Sequence, residues 1–150
     1  MTKKEISAGG VVYRKIGQEV HILLIVDRYR KLAFAKGRME AGETIEQAAL
    51  REIREETNIV GRIIQPLTIN YYQFEHSEHG HVEKETHYFL VEAISGELKA
   101  QTEEIRDVQW HTAEDAWTLH HQNGYENNRV ILKMALESLG FLGDRSEMKV

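Results

Sequence analysis

The chain has 150 residues, 41% of them hydrophobic, enough for one domain with a sizeable core, and a single domain over residues 1–150 is expected. Its net charge of −5 argues against nucleic-acid partners, which want a basic face, but not against an anionic substrate, because a bound cation and local Arg or Lys reverse the local field. With no cysteine, no apolar run of membrane-spanning length and no signal-peptide core in MTKKEISAGG, the sequence excludes disulfides and thiolate zinc sites and points to a cytoplasmic protein without a membrane partner.

Ile6 to Arg14, ISAGGVVYR, reads as a strand whose glycines allow a close backbone approach or a bulge. Val20 to Asp27 is a nearly continuous apolar strand, paired with the first across a turn at Gly17. Leu32 to Ala35 forms a short strand running into a loop bracketed by Gly37 and Gly42. A helix follows from about Ile45 to Thr57. Thr44 and Gln47 give it a capping box, Ala48, Ala49 and Leu50 favour it, and Ala49, Leu50 and Ile53 form its apolar stripe.

Arg62 to Phe74, with alternating apolar and aromatic positions, gives one or two strands. A polar loop from His76 to Lys84 leads to a strand from Glu85 to Ala93. Val108 to His111 is a short strand, and Ala113 to Trp117 starts a short helical piece. Asn127 to Leu139 is an amphipathic helix with Val130, Ile131, Met134, Ala135 and Leu139 inward. The sum is an α/β fold, a mixed sheet covered by helices.

The segment from Gly37 to Ile59, GRMEAGETIEQAALREIREETNI, carries the chemistry. Glu52, Glu55 and Glu56 stand at i, i+3 and i+4 and share one helix face, an arc of roughly 100°. Three like charges packed that way repel, so a positive partner is expected against them. A hard divalent cation fits, because Mg²⁺ and Mn²⁺ prefer carboxylate oxygens and Mg²⁺ usually shares its shell with substrate phosphates.

The spacing Gly-x5-Glu-x7-Arg-Glu-Ile-x-Glu-Glu-x-Asn-Ile resembles the Nudix box and matches eight of its nine fixed positions. The exception is the second glycine, here Asn58, the next most tolerant residue for a left-handed position after a helix. The resemblance implies a Nudix α/β/α sandwich, a mixed β-sheet flanked by helices. It also implies Mg²⁺, or Mn²⁺ in its place, bound by Glu52, Glu55 and Glu56 with the carbonyl of Gly37. Glu52 is then also the favoured general base, with Arg51 and Glu43 orienting the glutamates. A glutamate outside the box often completes such a site, and Glu104, rather than Glu103, is preferred for it.

Beyond the box, SAGGVVYR, Ala35-Lys36-Gly37-Arg38 and Lys84 to Leu90 are similar to the dinucleoside polyphosphate hydrolase subgroup, whose usual Pro-Lys-Gly is Ala-Lys-Gly here. Lys36 and Arg38 flank the loop and are candidates to hold phosphates; Arg14, Arg28 and Arg30 are weaker ones. Tyr72 and Tyr88, with Tyr71 and Phe74, are candidate stacking faces for a nucleobase. His76, His79, His81 and His87 crowd one hairpin, where a polar substrate-side loop is the reading preferred over a zinc site. His120 and His121 are read as exposed histidines near a helix end.

The resemblance therefore implies a Mg²⁺-dependent hydrolase that cleaves a pyrophosphate linkage in a nucleoside diphosphate linked to another moiety. Dinucleoside polyphosphates such as diadenosine tetraphosphate are the favoured substrates. A MutT-type nucleoside triphosphate pyrophosphohydrolase, an ADP-sugar hydrolase and a diphosphoinositol polyphosphate hydrolase are the alternatives within the class. A nucleotide-sensing Nudix module without catalysis is the alternative outside it, disfavoured because the glutamates are intact. The expected partner is a small nucleotide, and the expected state is monomer or homodimer.

Overall fold

The computed structural model describes residues 2–141. Seven strands form one sheet. β1 (Thr2–Ile16), β2 (Glu19–Asp27), β3 (Leu32–Ala33), β5 (Val60–His76) and β6 (Gly80–Ser95) follow the order β3-β2-β1-β6-β5. β4 (Lys36–Arg38) pairs with β1, and β7 (Ile105–Thr112) pairs with β2. The β1–β6 pairing is parallel and every other is antiparallel, so the sheet is mixed.

Side chains along β2 alternate between two cores. Ile22 and Leu24 pack with α2 (Ala113–Asn123) and α3 (Glu126–Ser138), while Leu23 and Ile25 pack with α1 (Ile45–Thr57). Both faces are therefore buried, which is why β2 reads as a continuous apolar run. Helices cover the sheet on both sides, the expected α/β/α arrangement.

The sheet forks at β1. Its C-terminal half pairs with β2 through Tyr13 to Ile16, and its N-terminal half pairs with β4 through Ser7 to Gly9. A side chain at Gly9 would overlap the Ala35 carbonyl, and the Gly10 N–H donates to that carbonyl at 3.1 Å. The glycine pair read from the sequence thus permits a close backbone approach, and that approach brings Lys36 and Gly37 into the fork.

Several elements run longer than the sequence suggested. The polar stretch from His76 to Lys84 is mostly strand, and only residues 77–79 form the turn of a long β5–β6 hairpin. Cross-strand pairs hide that pattern: Glu75 holds His81 at 2.9 Å, and Lys4 holds Glu85 at 2.8 Å. α2 continues to Asn123, and its buried stripe is Ala113, Ala116 and His120. His120 is therefore buried rather than exposed, stacked on Phe34 with ring centroids 5.7 Å apart. In α3 the inward stripe is Asn128, Ile131, Leu132, Ala135 and Leu136, which turns Val130 outward to 61% exposure, contrary to expectation.

Candidate active site

α1 begins with the expected capping box, Thr44 accepting from the Gln47 N–H and the Gln47 side chain accepting from the Thr44 N–H. It ends on Asn58 in the left-handed conformation, φ 68°, with the Asn58 amide donating to the Glu97 carbonyl at 2.9 Å. Ala48, Ala49 and Ile53 are buried against the sheet, which turns the glutamate side of α1 toward β4 and the fork. Residues beyond β6 are stapled to this helix end: the Lys99 N–H donates to the Thr57 carbonyl and the Gln101 amide to the Arg54 carbonyl. Those contacts bring Glu104 to the same region.

Arg51 is the hub of the cluster. Its guanidinium donates to Glu43 at 2.5 and 3.1 Å, to Glu52 at 2.9 Å, to Glu55 at 3.1 Å and to the Arg38 carbonyl at 2.9 Å. The carboxylates raise the Arg51 pKa further, and the guanidinium with the Glu40 N–H holds Glu43 below the ordinary carboxylate range. A side chain at Gly37 would overlap the Glu52 carboxylate, so glycine there is what lets β4 and α1 approach.

Glu56 differs from its neighbours. Burial, then a hydrogen bond to Glu52 and the Glu52 charge, push its pKa up to about 9 against the opposing pull of Lys36. Two carboxyls held together in this way share a proton when no metal cation is bound between them. Among the described residues no group of three or more His, Asp or Glu side chains is arranged as a cage for a metal ion. The donor set nevertheless suits a hard cation that completes its shell with phosphate and water: a close carboxyl pair, Glu52 and Glu56, beside a cleft.

That cleft, about 340 Å³, lies at the fork of the sheet. Its lining includes Glu56, which feels the Lys36 charge, Glu104, the Asp27–Tyr125 pair and the Arg28–Tyr29 pair, with Phe34, Asn70, Tyr72, Thr86, Tyr88, Asn127 and Asn128 also on its walls.

Tyr72 is 44% exposed on the cleft wall, with the Lys84 ammonium 5.7 Å from its ring. Tyr88 is only 2% exposed, so it floors the cleft and offers no free stacking face; burial raises its pKa against a hydrogen bond to Asn128. The Arg38 guanidinium lies outside the cleft lining, 3.5 Å from Glu5, while Lys36 is on the wall. Asp27, Tyr29, Asn70 and Tyr125 were not singled out from the sequence. The turn signal between two strands marks the first pair, but nothing local marks Asn70 or Tyr125, which reach the cleft through tertiary packing.

In the hairpin, His76 Nδ1 accepts from the Glu78 and His79 N–H groups, and its ring lies 4.6 Å from that of His79. These contacts shape the turn, away from the cleft lining.

The NUDIX domain family model matches residues 3–134. Over 116 residues the chain is 36% identical to the MutT4 protein of Mycobacterium tuberculosis, a stretch covering 73% of this chain and 46% of that protein. Over 102 residues it is 30% identical to the NAD-capped RNA hydrolase NudC of Pseudomonas aeruginosa, covering 68% and 34%. The chain thus spans less than half the length of these curated relatives. The crystal structure of a Caenorhabditis elegans Ap4A hydrolase binary complex superposes with a TM-score of 0.68 at 25% identity, covering 90% of this chain and 97% of that one.

Proposed function

The chain belongs to the NUDIX domain family, and from that membership we propose that it is a Mg²⁺-dependent hydrolase of phosphoric anhydrides that takes nucleoside diphosphate derivatives. The observation that carries this reading is the carboxylate cluster on α1, Arg51 donating to Glu43, Glu52 and Glu55, beside a half-buried Glu56 that lines a cleft with Lys36. Dinucleoside polyphosphates such as diadenosine tetraphosphate are the favoured substrates. Support comes from the likeness to the Ap4A hydrolase over nearly the whole of that chain, and from two cations, Lys36 and Arg28, on the cleft wall.

Glu52, Glu56 and the Gly37 carbonyl would hold the cation, with Glu55 beside them. When bound it supplies charge neutralisation on the phosphates and a lowered pKa for the attacking water. Arg51 holds one oxygen of Glu52, which helps to orient the carboxylate that would take the proton of the water. Glu43 holds Arg51 in turn. Glu104, on the cleft wall, is the second candidate base. Lys36 holds a phosphate that is not cleaved, and the exposed face of Tyr72 takes a base.

Replacing Glu52 with Gln keeps the shape and removes the base. Turnover with saturating Mg²⁺ is expected to fall about 10²–10⁴-fold, while the circular dichroism spectrum and unfolding midpoint hold. Near-native turnover in Glu52→Gln would take the base role away from this residue.

A further inference from the structure

One carboxylate organises the turn between β2 and β3. Asp27 Oδ1 accepts the N–H groups of Tyr29 at 2.9 Å and Lys31 at 3.0 Å. The backbone closes the same turn, Asp27 N–H donating to the Lys31 carbonyl and Arg30 N–H to the Asp27 carbonyl, each at 2.9 Å, with Arg30 in the left-handed conformation. Asp27 Oδ2 accepts the hydroxyl of Tyr125, which precedes α3. The turn is fastened to that junction again by the Asn123 amide on the Arg30 carbonyl at 2.7 Å, and by a bridge between Leu32 and Gly124.

The turn presents Arg28 and Tyr29 to the cleft, the guanidinium 4.9 Å from the Tyr29 ring. Tyr29 is 65% exposed, so core packing does not explain its placement. Among the described residues, Arg28 and Lys36 are the cations that line the cleft. Lys36 acts on Glu56, whereas Arg28 stands with Tyr29 and Tyr125.

We propose that Asp27 is a positioning residue for substrate: by clamping its own turn and tying it to Tyr125, it holds Arg28 and Tyr29 as a cation-and-ring wall for the part of the nucleotide beyond the scissile anhydride. This rests on the functional reading above. Asp27 has no part in the chemistry, because its two oxygens are already taken by three donors. Its contribution is that a prefastened turn does not lose its freedom when substrate arrives. The clamp also persists across the assay range, since Asp27 pushes the Tyr125 pKa up to about 12 and the hydroxyl keeps its proton.

The test uses the full chain carrying Asp27→Ala, Asp27→Asn, Tyr125→Phe, Arg28→Ala and the Asp27→Ala/Arg28→Ala double substitution. Two readouts are taken: KM and kcat for diadenosine tetraphosphate with Mg²⁺, and equilibrium binding of the same compound in the Glu52→Gln background. Asp27→Ala is expected to raise KM and Kd about tenfold or more, with kcat within about threefold, as loss of hydrogen bonds to a charged group predicts. Arg28→Ala should reproduce that rise and the double substitution should add little to it, which is the signature of one residue acting through the other. Asp27→Asn should recover part of the loss, because its amide oxygen still accepts the turn N–H groups. Tyr125→Phe removes one hydroxyl only and carries the test if Asp27→Ala does not fold; it should raise KM and Kd by a smaller factor.

Unchanged KM and Kd in Asp27→Ala and Tyr125→Phe, or a loss confined to kcat, would overturn the proposal. A wild type that binds diadenosine tetraphosphate without cleaving it would end the choice of that substrate, while the Kd comparison still decides the role of Asp27. A wild type that neither binds nor cleaves it would end both that choice of substrate and the role proposed for Asp27.

Discussion

Gly37 is set by space rather than by backbone freedom. Any side chain there meets the Glu52 carboxylate, on the residue proposed to bind the cation and take the proton. Gly37→Ala should therefore displace Glu52 and lower turnover about 10²-fold, the usual consequence of an ångström-scale misplacement. Retention of native kcat in Gly37→Ala would show that the close packing of β4 on α1 has no part in the reaction. Glu56 yields a prediction of a different kind. Its raised pKa means that near pH 7.5 it holds a proton which a divalent cation must expel. Adding Mg²⁺ to the metal-free protein in weak buffer should release protons, and Glu56→Gln should abolish most of that release. No proton release from the wild type would contradict the carboxyl pair as the cation's seat.

Elements were legible where their signals are local. The bounds of α1, its capping box and the left-handed Asn58 all follow from neighbouring residues, and the structure agrees with each. Asn58→Ala should cost about 1–2 kcal/mol in urea unfolding, the price of a Cβ in that conformation, whereas Asn58→Gly should stay within about 1 kcal/mol. Equal losses in the two would remove the conformational explanation. The hairpin, α2 and α3 were less legible because their faces are chosen by tertiary contacts. Charged pairs masked the ends of β5 and β6, and Val130 lies one position off a stripe that only packing defines. His120 shows the same effect, though the spacing of Ala113, Ala116 and His120 was available as a signal. Burial first, with Arg129 and His121 adding to it, pushes the His120 pKa down to about 4, and neither ring nitrogen has a partner. Between pH 4 and 6.5 the unfolded chain then binds more protons here than the native one, so this residue's contribution to stability is lost as pH falls through that window. In an NMR titration the His120 ring signals should stay flat from pH 8 to 5; a midpoint near 6.5 would contradict its burial as a neutral ring.

At the scale of the whole molecule, the carboxyl pair ties stability to metal and pH. Glu56 has an ordinary carboxylate pKa when unfolded and one near 9 when native without metal, so across that interval the native state holds the extra proton. Stability of the metal-free protein should therefore fall as pH rises from about 6.5, above the His120 window, to about 9, and saturating Mg²⁺ should reverse the trend. A metal-free stability that rises over the same range would contradict the sign of the Glu56 shift. The α/β class was readable from strand and helix patterns in chain order, the α/β/α sandwich only through the resemblance of the box, and the glutamate face of α1 from helical spacing. The far wall of the cleft was not, because Asp27, Asn70 and Tyr125 come from separate elements that only the forked sheet brings together. The most direct test of the central claim is a product-resolved hydrolysis screen with Mg²⁺ over dinucleoside polyphosphates, nucleoside triphosphates and ADP-sugars, with Glu56→Gln as control. Conversion of diadenosine tetraphosphate to ATP and AMP, lost in the control, is the expected result. No turnover of any of these compounds, with nucleotide binding retained, would contradict the account.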